Sequence, residues 1–156
     1  MSADEQSMRR VTAIRNGTVI DHIPGGMVLQ ALQIFNVDGR HSNPISLVMN
    51  VPSRKLGTKD ILKIEDRELS ESESQKLALL SPGSHVNIIR NFVVAEKNVA
   101  ELPKTISDMA LCPNENCISN NERGAKTKFN IIKGNPLSIQ CVYCGRKIAQ
   151  NKIIFI

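Results

Sequence analysis

Four cysteines, Cys112, Cys117, Cys141 and Cys144, form two close pairs separated by twenty-three residues. Each pair fits a tight turn that aims two thiolates at one centre, and four thiolates complete the tetrahedron of a structural zinc site. Such a centre keeps no coordination position for water, so it supports folding and carries no Lewis-acid chemistry. Paired cysteines also serve in iron centres, remain as unliganded buried thiols, or form disulfides where the compartment is oxidising. The opening segment, residues 1–10, is polar and lacks the apolar stretch of a secretory signal. No run approaches the ~20 apolar residues that span a bilayer. The expectation is a cytoplasmic chain without a membrane segment, in which the cysteines hold Zn2+ rather than bridges.

Little else in the chain is poised for catalysis. There are three histidines, His22, His41 and His85, and no Gly-x-Ser-x-Gly, no phosphate-binding Gly-x-x-x-x-Gly-Lys and no two-histidine metal motif. Asp21-His22 resembles a dyad fragment but reads as an ordinary turn pair, so no catalytic residue is assigned. Lys59 and Lys63 are ordinarily solvated surface groups. On a strand, four steps of about 3.3 Å would set their backbones about 13 Å apart on one face, a spacing that suits the two ends of a nucleotide.

Residues 11–17 read as a short strand ending in an Asn-Gly turn, with an extended segment resuming at residues 18–20. After the Pro24-Gly25-Gly26 break, apolar residues from Met27 to Phe35 fall on one helical face. Residues 45–51 and 60–65 are strand-like, and 52–57 form a loop. Ser70-x-x-Glu73 has the form of a capping box and starts a second helix, about residues 71–80, which Pro82-Gly83 stops. Residues 85–97, rich in Val and Ile, read as one long strand whose apolar residues do not alternate, through burial of both faces or a bulge. Most connections are too short for parallel crossovers, which predicts a mainly antiparallel sheet covered by helices, an α+β domain. Leu102-Pro103-Lys104 is a plausible joint, giving domains of residues 1–103 and 104–156. The second is too small to bury much apolar surface, and the cysteines supply the missing support.

Apolar residues at 41% and charged residues at 22% exclude a generally disordered chain. The net charge of +5 is uneven: residues 1–103 hold twelve Lys/Arg and twelve Asp/Glu, and residues 104–156 hold eight and three. A basic zinc ribbon that binds nucleic acid is therefore the alternative reading. Aromatics at 3%, with no Trp and one Tyr, leave few platforms for stacked bases and weigh against it.

Ala13-Ile14, the string Gly17-Thr-Val-Ile-Asp-His-Ile-Pro24, Gly57-x-Lys59-Asp60 with Lys63-Ile-Glu65, Cys112-Pro-Asn-x-Asn-Cys-Ile-Ser119 and Cys141-x-Tyr-Cys144 occur in this order over nearly the whole chain. Together they resemble the regulatory chain of aspartate carbamoyltransferase. The resemblance implies an N-terminal nucleotide-binding allosteric domain with an antiparallel, ferredoxin-like sheet and two helices, followed by a small zinc-bound β domain that docks on a separate catalytic chain. It also implies a regulatory dimer, no activity of its own, no nucleic-acid partner and a role in pyrimidine biosynthesis, with CTP, ATP and UTP as effectors. Carried over by position, the nucleotide contacts fall on Val11, Ala13, Ile14, Val19, Asp21, His22, Lys63, Asn87, Ile89, Phe92, Val94 and Lys97, with Lys59 near. The catalytic-chain contacts fall on Asn114, Asn116 and Arg146. Thr12, Phe92 and Gly145 depart from residues found in some relatives.

Overall fold

In a computed structural model, residues 13–37, 40, 43–134 and 136–156 are described. The chain divides into two compact units, residues 1–101 and 102–156.

The first unit runs β1 (Gly17–Pro24), α1 (Val28–Ile34), β2 (Ile45–Ser53), β3 (Gly57–Glu65), α2 (Glu71–Leu80), β4 (His85–Arg90) and β5 (Val93–Val99). Its sheet has the order β2-β3-β1-β4-β5, and every neighbouring pair is antiparallel. Two β-α-β units interleave, each helix carrying the chain past a strand that belongs to the other. That is the ferredoxin-like arrangement, extended by β5. The alternation of side chains along each strand divides the sheet into two faces. One carries Ile20, Leu62, Ile64, Val86 and Ile88, all buried, under helices whose buried residues include Ala31, Ile34, Leu77 and Leu80. The other buries Val19, Val51, Ile61 and Ile89 together with Ile14 in a smaller cluster.

Both helices are short and need their ends held. Asp60, fully buried, accepts the Val28 N–H at 3.0 Å at the start of α1 and the Asn50 N–H at 2.9 Å on β2. Arg67 closes the other end by donating to the Phe35 carbonyl at 2.8 Å while pairing with Glu73. The capping box forms as expected, Ser70 Oγ accepting the Glu73 N–H and Glu73 Oε1 accepting the Ser70 N–H, each at 3.2 Å.

Two stretches differ from expectation. Residues 85–97 make a hairpin, not one strand: Asn91 and Phe92 turn the chain with φ of 53° and 64°, as a two-residue turn between strands demands. A register shift between Ile88 and Ile89 adds to the broken alternation. The turn lacks glycine because the rest of the fold holds it, through Asn91 N–H to Asn16 Oδ1 at 3.0 Å and Phe92 N–H to the Arg15 carbonyl at 2.9 Å. Within the expected strand at residues 11–17, Ala13 to Asn16 are not in a strand, and pairing begins at Gly17. There is no room for a side chain at residue 17, since a Cβ would run into the Ile64 carbonyl oxygen.

The second unit is a four-stranded antiparallel sheet, β6 (Thr105–Ser107), β7 (Lys128–Ile132), β8 (Ser138–Cys141) and β9 (Lys147–Ala149), in sequential order, with a one-turn helix α3 (Ile118–Asn121). Ile106, Ala110, Phe129, Leu137, Ile139 and Ile148 fill a core that three of the four cysteines complete.

Candidate functional site

The cysteines converge from two turns. Cys112 and Cys117 bracket the loop before α3, while Cys141 ends β8 and Cys144 lies in the turn to β9. Their sulfurs lie within 4.8 Å of one another, with Cys112–Cys144 and Cys117–Cys141 each at 3.6 Å. These are not disulfides, whose sulfurs approach to about 2.05 Å. A tetrahedron with zinc–sulfur bonds of about 2.3 Å needs sulfurs about 3.8 Å apart, so the donor set fits one structural zinc. Electrostatics agrees. Burial pushes the Cys112 thiol up to about 12 and that of Cys141 upward, so a nearby dication is what would hold these two as thiolates.

The loops are braced by side chains that spacing alone does not reveal. Asn120 Nδ2 donates to the carbonyls of Cys112 and Asn114 at 2.9 and 2.7 Å, and Asn121 Nδ2 to those of Glu115 and Cys117 at 2.8 and 2.9 Å. Ser119 Oγ donates to Cys117 Sγ at 3.1 Å and lowers that thiol. The Arg146 backbone N–H, and then the Asn114 side chain, bring Cys144 down to about 6. The only sequence signal for these partners is their polar type within or beside a metal loop, where outer hydrogen bonds orient ligands. Asn114 is thus half-buried and occupied by the site itself, its Oδ1 also accepting the Asn116 N–H at 3.1 Å, whereas Asn116 and Arg146 are exposed. Ile118, Val142 and Tyr143, each next to a ligand, are exposed apolar side chains.

In the first unit, the face opposite the helices gathers most of the predicted nucleotide positions. Strand pairing sets Ser46 beside Lys63, Lys63 beside Val19, Val19 beside Asn87 and Asn87 beside Lys97, one row across five strands. At about 4.8 Å per strand, Lys63 and Lys97 stand about 14 Å apart with Val19 and Asn87 between them. A cavity of about 180 Å³ opens along this row, lined by Ala13, Ile14, Val19, Lys63, Asn87, Ile89, Phe92 and Val94. It has an apolar floor, one cation and one amide, and Phe92, 65% exposed, at its rim. Burial pushes the Lys63 ammonium below its ordinary value, so an anion there would relieve a charge that the fold disfavours.

Four other expected positions do not line the cavity. Lys97 is exposed at the end of the row. Asp21 and Lys59 lie deeper, Lys59 Nζ 3.1 Å from Asp21 Oδ1, with Lys59 fully buried. Lys59 and Lys63 do share β3 and a face, but the first is committed to Asp21. His22 sits at a bulge in β1 with φ of 61°, its N–H donating to Asp21 Oδ1 at 2.6 Å. Val11 lies outside the described residues. The bulge and the buried pair depend on long-range pairing, which is why neither was legible from local spacing.

Fold and site define a two-domain chain: a ferredoxin-like sheet with a small cationic cavity, and a β domain built on a four-thiolate metal centre. No helix among the described residues is long and apolar enough to cross a membrane. Residues 9–101 match the family model of the aspartate carbamoyltransferase regulatory chain, allosteric domain, and residues 104–154 that of its metal binding domain. The chain is 44% identical over 154 residues to a protein of Saccharolobus solfataricus named aspartate carbamoyltransferase regulatory chain, covering 99% of this chain and 97% of that one. It is 46% identical over 145 residues to a protein of the same name from Korarchaeum cryptofilum, 92% of each chain. This chain belongs to the family of aspartate carbamoyltransferase regulatory chains, which are non-catalytic subunits.

Proposed function

We propose that this chain binds nucleoside triphosphates, CTP, ATP and UTP, on the open face of its first domain and thereby controls an aspartate carbamoyltransferase catalytic chain in cytoplasmic pyrimidine biosynthesis. The observation that carries the reading is the row of Lys63, Val19, Asn87 and Lys97 above a cavity with an apolar floor. A base fits against Ile14, Ile89 and Phe92, where main-chain groups around Ala13 and Ile14 would read its edge, and Lys63 and Lys97 offset phosphate charge. Asp21, held by Lys59, is a ribose acceptor at the deeper end. For control to follow, the nucleotide must bind two states of the assembly with different affinity, a coupling of typically ~1–3 kcal/mol.

The second domain is the docking element. The metal holds Asn116 and Arg146 on two turns around one centre, and exposed Ile118, Val142 and Tyr143 supply the apolar surface of an interface. A regulatory dimer is part of the same reading. Mixing the chain with an aspartate carbamoyltransferase catalytic chain is expected to give a larger species by light scattering, and CTP to bind the chain alone by calorimetry. Intact CTP affinity in both Lys63→Ala and Lys97→Ala would sink the proposed phosphate site.

A further inference from the structure

We propose that His85 extends the anion-binding end of this site: with His22 it cradles the distal phosphates of a nucleoside triphosphate and makes their binding proton-linked. The inference rests on the nucleotide reading above, which does not use His85. The two imidazole rings have centroids 4.4 Å apart and tilt by 34°. His85 lies opposite Asp21 on β1 and opposite Val99 on β5. By alternation it shares the face of Asn87 and Ile89, one side-chain step, about 6.7 Å, beyond the cavity lining. Both rings are partly exposed.

The surrounding charges make this a place where protons and phosphates compete on the same terms. From β1, Asp21 Oδ1 stands 3.7 Å from His22 Nδ1. From β3, fully buried Lys59 pairs with the same carboxylate at 3.1 Å, and Lys63 stands one row away. From β5, Val99 brings no charge and Lys97 stands beside Asn87. Two imidazolium rings this close, with two lysines in the next row, would repel each other unless an anion lay between them. A polyphosphate lying along the row supplies the missing negative charge. Its binding therefore favours the charged form of the pair.

The test uses the full chain, His85→Gln, and CTP and cytidine as probes, with affinity measured by calorimetry from pH 5.5 to 8.5. The γ-phosphate of CTP also titrates here, but equally for both proteins, so their difference isolates the residue. The expected result is a deficit of about tenfold in CTP affinity for His85→Gln near pH 5.5 that closes by pH 8.5, with cytidine affinity equal in both proteins throughout. An NMR titration of the unaltered chain should show CTP raising the pKa of His85. A pH-independent deficit, identical CTP profiles, or a His85 pKa that CTP leaves unmoved would overturn the proposal. If these occur while Lys63→Ala still weakens CTP binding, only this inference falls. If the unaltered chain binds no CTP, the nucleotide reading falls with it.

Discussion

The two domains concentrate charge in opposite ways. In the second, four thiolates a few residues apart in pairs meet at one point, and three of them are also core residues. In the first, the candidate site is drawn from five segments between Ala13 and Lys97, and only strand register brings them together. A centre on which the core depends fails all at once, whereas a row spread over a sheet erodes one residue at a time. The folding of one domain and the binding of the other are therefore open to separate attack.

The largest effect is expected from the metal. Structural zinc contributes apparent binding free energies of about 10–16 kcal/mol to small domains. Chelation or Cys117→Ser should therefore abolish amide-exchange protection in β6 to β9 while leaving β1, β3 and β4 protected. Protection that survives in both domains would remove the contrast. Next comes the Asp21–Lys59 pair, where deleting one partner strands a buried charge, a loss of about 3–5 kcal/mol. Denaturant unfolding of Asp21→Ala should show that loss in the first domain with zinc content unchanged, and Asp21→Asn combined with Lys59→Met should recover much of it.

Lys63 distinguishes binding from stability. Its lowered pKa means that the folded state disfavours the ammonium, a burden fully present below the folded pKa and relieved as pH rises through it. Lys63→Met should thus leave stability at pH 7 unchanged or raised, while CTP affinity falls about tenfold or more. In the unaltered chain, CTP binding should take up protons in the alkaline window between the lowered value and 10.5, measurable by calorimetry in buffers of different ionisation enthalpy. The smallest effect belongs to the capping box: Ser70→Ala should lose about 1 kcal/mol of first-domain stability and alter neither zinc nor nucleotide binding.

The same contrast explains what could be read from sequence. Cys112, Cys117, Cys141 and Cys144 announce themselves because ligand geometry is written in short spacings, and Ser70 with Glu73 because a cap is local. The hairpin at Asn91 and Phe92 was missed because its signal is usually glycine, and here distant Asn16 and Arg15 stand in for it. Lys59 reads from sequence as a solvated lysine whose spacing to Lys63 would also suit a nucleotide, and only the pairing of β1 with β3 reveals that it is buried and answers to Asp21. Asn120 and Asn121 were invisible for another reason: nothing in an asparagine says which carbonyl it will find.

Phe92 holds a backbone conformation, φ of 64°, that glycine or asparagine adopts far more readily, while most of its ring faces solvent at the rim of the cavity. The position therefore sets two preferences against each other. Glycine there should make the hairpin easier to close and leave the cavity without its aromatic wall. A library selected for stability and one selected for nucleotide capture should thus diverge at this residue.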